Sequence, residues 1–76
     1  AYIAIEYAAA NRFTEALQLA NRIKDEDSKA TALSGIAAEY AKLGNFNKGI
    51  QLAQTITGEY ERSKALESIA SQATIS

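Results

Sequence analysis

YAAANRF at residues 7–13 and YAKLGNF at residues 40–46 place a Tyr, an Ala, an Asn or Gly, and a Phe at the same intervals, 33 residues apart. The offset extends outward from both stretches without a gap. Ile3 matches Ile36, Gln18-Leu19-Ala20 matches Gln51-Leu52-Ala53, and Ile23 matches Ile56. Leu33, Ile36 and Ala37 match in turn Leu66, Ile69 and Ala70. Of the 43 positions that can be compared, 15 are identical, and these concentrate at apolar sites. Self-similarity at a fixed period of a few tens of residues is the sequence signature of stacked structural units.

Each period carries two helical patterns. Leu33, Ile36, Ala37 and Tyr40 fall at i, i+3, i+4 and i+7, one face of a helix, and Phe46, Gly49, Ile50, Ala53 and Ile56 continue in the same rhythm. Leu43-Gly44-Asn45 stands between them. Gly44 suits the left-handed backbone that closes a helix, and its counterpart Asn11 is the next most tolerant residue there. Asp25-Glu26-Asp27-Ser28 restarts the chain, with Asp27 or Ser28 expected as the cap and the acids complementing the positive helix end. Thr57 and Gly58 close the helix of the second unit, with Glu59 or Glu61 at the next start.

These signals predict an all-α chain of five antiparallel helices at about 1–10, 13–24, 28–43, 46–57 and 61–74. They form one helical-repeat domain with a partial unit at 1–29, a full unit at 30–62 and a partial unit at 63–76. Ala4, Ala37 and Ala70, with Ala16 and Gly49, are expected to let backbones approach while Tyr7, Tyr40, Phe13 and Phe46 fill the gaps. Gly in mid-helix costs about 1 kcal/mol relative to Ala, so a close helix crossing at Gly49 is the expected reason for it.

Composition narrows the functional classes. The chain has no Cys and no His, which excludes disulfides and the usual zinc constellations. Its net charge of −1 gives no electrostatic case for nucleic acid or anionic lipid. No apolar run approaches the ~20 residues of a membrane span. The expectation is a water-facing, cytoplasmic domain with no metal, cofactor or membrane partner. With no initiator Met or signal peptide, residue 1 is expected to be a processed or excised end.

The spacing of these residues resembles the tetratricopeptide repeat. That family favours a large residue, a large–small pair, an aromatic, a turn Gly, a second aromatic and a small residue. Leu33, Ile36, Ala37, Tyr40, Gly44, Phe46 and Gly49 follow that order. Ile3, Ala4, Tyr7, Asn11, Phe13 and Ala16 supply the first unit, and Leu66, Ile69 and Ala70 begin the third. The chain departs from the family in lacking the late Pro, in having Ala20 and Ala53 where an aromatic is usual, and in its period of 33, against about 34. Ankyrin repeats share that period, but their Thr-Pro-Leu-His start is absent. The resemblance implies a right-handed α-α superhelix, with the first helix of each unit lining a concave side.

The residues expected on that inner side are Ile5, Ala8 and Ala9, then Thr31, Ser34, Ala38, Ala41 and Lys42, then Lys64, Glu67, Ser71 and Thr74. A shallow wall of small residues suits an extended segment or a helix from a partner protein. Ser34 and Ala38 stand where carboxylate-clamping members of the family use Lys and Asn, so that activity is not implied. The leading expectation is a non-catalytic protein-interaction scaffold, a piece of a longer array. The alternatives are a self-associating or designed structural repeat module, whose partner is another copy held through its terminal helices, and an RNA-binding helical repeat.

Other groups read as structural. Asp25, Glu26 and Asp27 lack the Gly and the distant Glu of a calcium loop. Ser28-Lys29 and Ser63-Lys64 lack a third group to orient them, and adjacent residues on a helix do not face each other.

Overall fold

The structure, a computed structural model, describes residues 2–75 and the side-chain surroundings of residues 3–73. Ala1 and Ser76, the ends of the expected domain, lie outside the described residues, as does the side chain of Thr74. Five α-helices follow one another: α1 (Tyr2–Ala9), α2 (Phe13–Asn21), α3 (Glu26–Lys42), α4 (Phe46–Gln54) and α5 (Glu59–Ile75). No strand occurs among the described residues.

The turns after α1 and α3 are built alike. Asn11 has φ +67° and Gly44 φ +86°, the left-handed conformation expected of both. Beyond them the Arg12 N–H donates to the Tyr7 carbonyl at 2.8 Å and the Asn45 N–H to that of Tyr40 at 2.9 Å. The Asn11 and Gly44 N–H groups donate to Ala8 and Ala41 at 2.9 and 3.0 Å. This paired arrangement satisfies carbonyls that a helix end otherwise leaves open. Gly44→Ala is therefore expected to lower stability by about 1 kcal/mol, and Asn11→Gly to raise it by a few tenths, since only Gly adopts this backbone without a Cβ penalty. Urea denaturation of the two variants checks both signs.

The other joints repeat in the same way. Arg22 and Ile23 close α2 by donating to Leu19 and Ala20, and Thr55 and Ile56 close α4 by donating to Leu52 and Ala53. These tight i→i−3 bonds end both helices three residues before the expected limits. The apolar rhythm runs on past the closure because Ile56 is still buried after the helix has stopped.

The start of α3 also differs from expectation. The cap is Asp25, not Asp27 or Ser28: its carboxylate accepts from the Ser28 N–H at 3.0 Å and from the Ser28 hydroxyl at 2.8 Å. Those two bonds hold the Asp25 carboxyl below its ordinary pKa, the hydroxyl contact being the larger cause. A depressed folded-state pKa adds stability above the unfolded value, about 3.9, and that stability is lost as pH falls through the folded value. Asp25→Ala is expected to melt below the parent at pH 7, with the gap closing through the acid range. Asp25→Asn keeps the neutral cap and should show less pH dependence. Thermal melts from neutral to strongly acidic pH compare the three. At the equivalent start of α5, Gly58 has no side chain to cap, and its carbonyl accepts from the Arg62 N–H at 2.8 Å.

Packing centres on α3, which touches each of the other four helices. The helix α2 lies against α1 and α3, and α4 lies against α3 and α5. The Cα envelope measures 33 × 28 × 16 Å, a thickness that fits two helix layers with axes about 8–10 Å apart. Ala4, Ala8, Ala16, Ala20, Ala37 and Ala53 are buried, with Ile36 and Ile56 as the largest fully buried side chains. A core so rich in methyl groups depends on close backbone approach. At Gly49 the neighbouring atom is backbone: an added Cβ would lie 2.9 Å from the Ala37 carbonyl oxygen.

Ile3, Leu66 and Ala70 differ from their expected role. Ile3 is 63% exposed, although its counterpart Ile36 is fully buried, because no described helix covers the outer side of α1. Ala70 is exposed and Leu66 half-buried, whereas Ala37 and Leu33 are buried under α4. Phe13 is half-buried, its ring stacked on Tyr40 with centroids 3.9 Å apart and planes 10° from parallel. Phe46 is half-buried as well.

Candidate partner-binding groove

The N-terminal halves of α3 and α5 run side by side and leave a shallow depression of about 220 Å³. Ala30, Thr31 and Ser34 form one wall; Tyr60, Glu61 and Lys64 form the other. Thr31, Ser34 and Lys64 are residues that the sequence placed on the inner side, and here they come together. Each wall is held by local hydrogen bonds. The Thr31 hydroxyl donates to the Asp27 carbonyl at 3.0 Å, and Asp25 anchors the first turn of α3. On the facing side, the Arg62 guanidinium donates to the Ile56 carbonyl at 3.0 Å and ties α5 to the chain leaving α4. The Thr57 hydroxyl donates to a Glu26 carboxylate oxygen at 3.1 Å, which binds that same joint to α3.

Tyr60 is 70% exposed, the most open aromatic among residues 3–73, and the Lys64 ammonium lies 5.7 Å from its ring centroid. A repeat-based reading passes over it because its counterpart 33 residues earlier is Asp27. The signal that could have found it is that same break: a large aromatic at a position the first unit fills with a charge.

The remaining inner residues divide. Ala9, Lys42, Glu67 and Ser71 are exposed, and Ala38 is half-buried. The Lys42 ammonium is drawn aside, 3.3 Å from a Glu39 carboxylate oxygen. Ile5 lies across α1 and α3, in the space that a Cβ at Gly35 would need. Ala8 and Ala41, expected on the open side, are 1% and 3% exposed. They continue the buried rows begun by Ala4 and by Leu33 and Ala37 at four-residue steps, so they join the core and present nothing to a partner.

A second depression lies on the outer side of α1, lined by Ile3, Glu6, Tyr7, Ala10 and Arg12. The Arg12 guanidinium sits 4.8 Å from the Tyr7 ring centroid and 2.7 Å from a Glu15 carboxylate oxygen. No helix among the described residues is long and apolar enough to cross a membrane. In comparisons with known proteins, the chain matches no family model, no curated protein and no solved structure.

Proposed function

We propose that this chain is a non-catalytic protein-interaction scaffold of tetratricopeptide-like helices, which takes an extended segment or helix of a partner protein in the α3–α5 groove. The observation that carries this reading is Tyr60, exposed at the mouth of a groove whose other residues are small or polar. An exposed Tyr supplies contact area at low entropic cost and is enriched among residues that dominate binding energy. Thr31 and Ser34 offer hydroxyls for a partner's backbone, and Lys64 and Glu61 offer one charge of each sign.

Peptides selected from a random library against the folded chain provide the test, with amide shifts of the labelled protein mapping where they bind. The expected footprint covers Thr31, Ser34, Tyr60 and Lys64. Tyr60→Ser is expected to weaken binding by about tenfold, some 1.4 kcal/mol, without moving the melting temperature. Selected peptides that settle on α2 and α4, or that ignore Tyr60→Ser, would refute the reading.

Self-association is the second reading, favoured by the exposure of Ile3 beside Tyr7 and Ala10 on the outer side of α1. Solution mass from micromolar to millimolar concentration separates the two. Growth with concentration that disappears in Ile3→Lys assigns that face to contacts between copies, and a constant mass removes this second reading.

A further inference from the structure

We infer that the cavity between the start of α3 and the chain leaving α4 binds a small free α-amino acid, its carboxylate on Lys29 and its ammonium on Glu26. The cavity measures about 80 Å³. Its shape follows from the early end of α4, where the i→i−3 bonds at Thr55 and Ile56 leave Ile56 buried and bring Thr57 to Glu26. Ala30, Leu33 and Ile56 give it an apolar floor, each at most 6% exposed. The remaining lining is polar, with Glu26 and Lys29 from α3 and Thr55 and Thr57 from the joint.

The two charges select the ligand. Residues three apart on a helix lie close enough to pair, yet Glu26 and Lys29 do not: the ion pairs among the described residues are Arg12–Glu15 and Lys42–Glu39. The Thr57 hydroxyl donates to one Glu26 carboxylate oxygen at 3.1 Å and holds that carboxylate beyond ion-pair distance of Lys29. The half-buried Lys29 has no ion-pair partner of its own among the described residues. One cavity thus offers an anion and a cation, each able to take a further partner, above an apolar floor. A simple carboxylate or a simple amine satisfies half of this. An α-amino acid satisfies both, because it carries its ammonium and its carboxylate on the same carbon. Partial burial strengthens the contact to Lys29, since charges screened from water interact through a lower dielectric. Size limits the side chain: a cavity that holds benzene measures about 150 Å³, so glycine and alanine fit and the aromatic amino acids do not. The site shares only Ala30 with the α3–α5 groove, and it stands independently of peptide binding there.

The probe is glycine, titrated at constant ionic strength into the labelled full chain and followed by amide shifts. Saturable, one-to-one shifts at Leu33, Ile56 and Thr57 are expected, half-complete at about 1–10 mM for a ligand of so few atoms. Acetate, methylammonium and phenylalanine should each bind about tenfold or more weaker than glycine. Lys29→Met removes the cation and keeps the chain length, and Glu26→Gln removes the anion and leaves an oxygen for Thr57. Each is expected to weaken glycine binding about tenfold or more, with the far-UV circular dichroism unchanged.

Shifts that stay linear to about 100 mM glycine would overturn the inference. So would glycine binding that either variant leaves intact, or that acetate, methylammonium or phenylalanine matches. Shifts confined to Thr31, Ser34 and Tyr60 would also overturn it, by placing glycine in the α3–α5 groove.

Discussion

Gly49→Val is expected to lower the stability of the chain by about 3 kcal/mol or more, a large share of what a domain of this size has. The first carbon of any side chain at this position would lie 2.9 Å from the Ala37 carbonyl oxygen and 3.6 Å from the Cβ of Tyr40. The near atom belongs to the backbone of α3, so relief requires α3 and α4 to separate. Overpacking of this kind costs about 1–3 kcal/mol and sometimes more, and the branched Cβ adds a helix penalty. A chain of this length has only about 4–11 kcal/mol of stability at the usual per-residue value. Separation of α3 from α4 also uncovers Ala37, Ala53 and Ile56, which places Val at about 3 kcal/mol or more. Gly49→Ala gains about 1 kcal/mol of helix propensity against the same backbone contact, so a smaller loss, about 1 kcal/mol, is expected. Far-UV circular dichroism with urea titration reads both, and a Val variant as stable as the parent would show that the crossing yields.

Ile36→Ala is the second large effect, expected at about 3 kcal/mol within the 2–5 found for buried Ile to Ala. Ile36 is fully buried on the helix that every other helix touches, so the lost methyl groups leave a void that cannot collapse without moving several elements. Its repeat counterpart provides an internal control. Ile3 is 63% exposed, and Ile3→Ala should fall within about 0.5 kcal/mol of the parent. The same substitution at the same repeat position thus measures burial alone. Equal losses at the two sites would mean that Ile3 is covered in solution.

The number of helices and the turns between them were legible because the chain states them twice. Gly44 and Asn11 share one backbone requirement, and only that requirement makes their exchange intelligible. The ends of α2 and α4 were not legible, since Ile23 and Ile56 keep the apolar rhythm after hydrogen bonding has changed. The cap at Asp25 was missed because Asp25, Asp27 and Ser28 are all competent caps, and propensity does not rank them. Of the residues expected on the inner side, Thr31, Ser34 and Lys64 line one depression between α3 and α5. Ala8 and Ala41 were misplaced because Ala is equally at home in a core and on a shallow surface. Tyr60, which lines the same depression, does not stand out in the repeat because its counterpart 33 residues earlier is Asp27.

The central position of α3 has a consequence for communication across the molecule. Among the described residues, α1 and α2 touch neither α4 nor α5, so every chain of contacts between the two ends passes through α3. The backbone route from the outer side of α1 to the outer face of α5 therefore runs through α3, whose close packing transmits strain from neighbour to neighbour. Substitutions in α1–α2 and in α4–α5 should add to within about 0.3–0.5 kcal/mol.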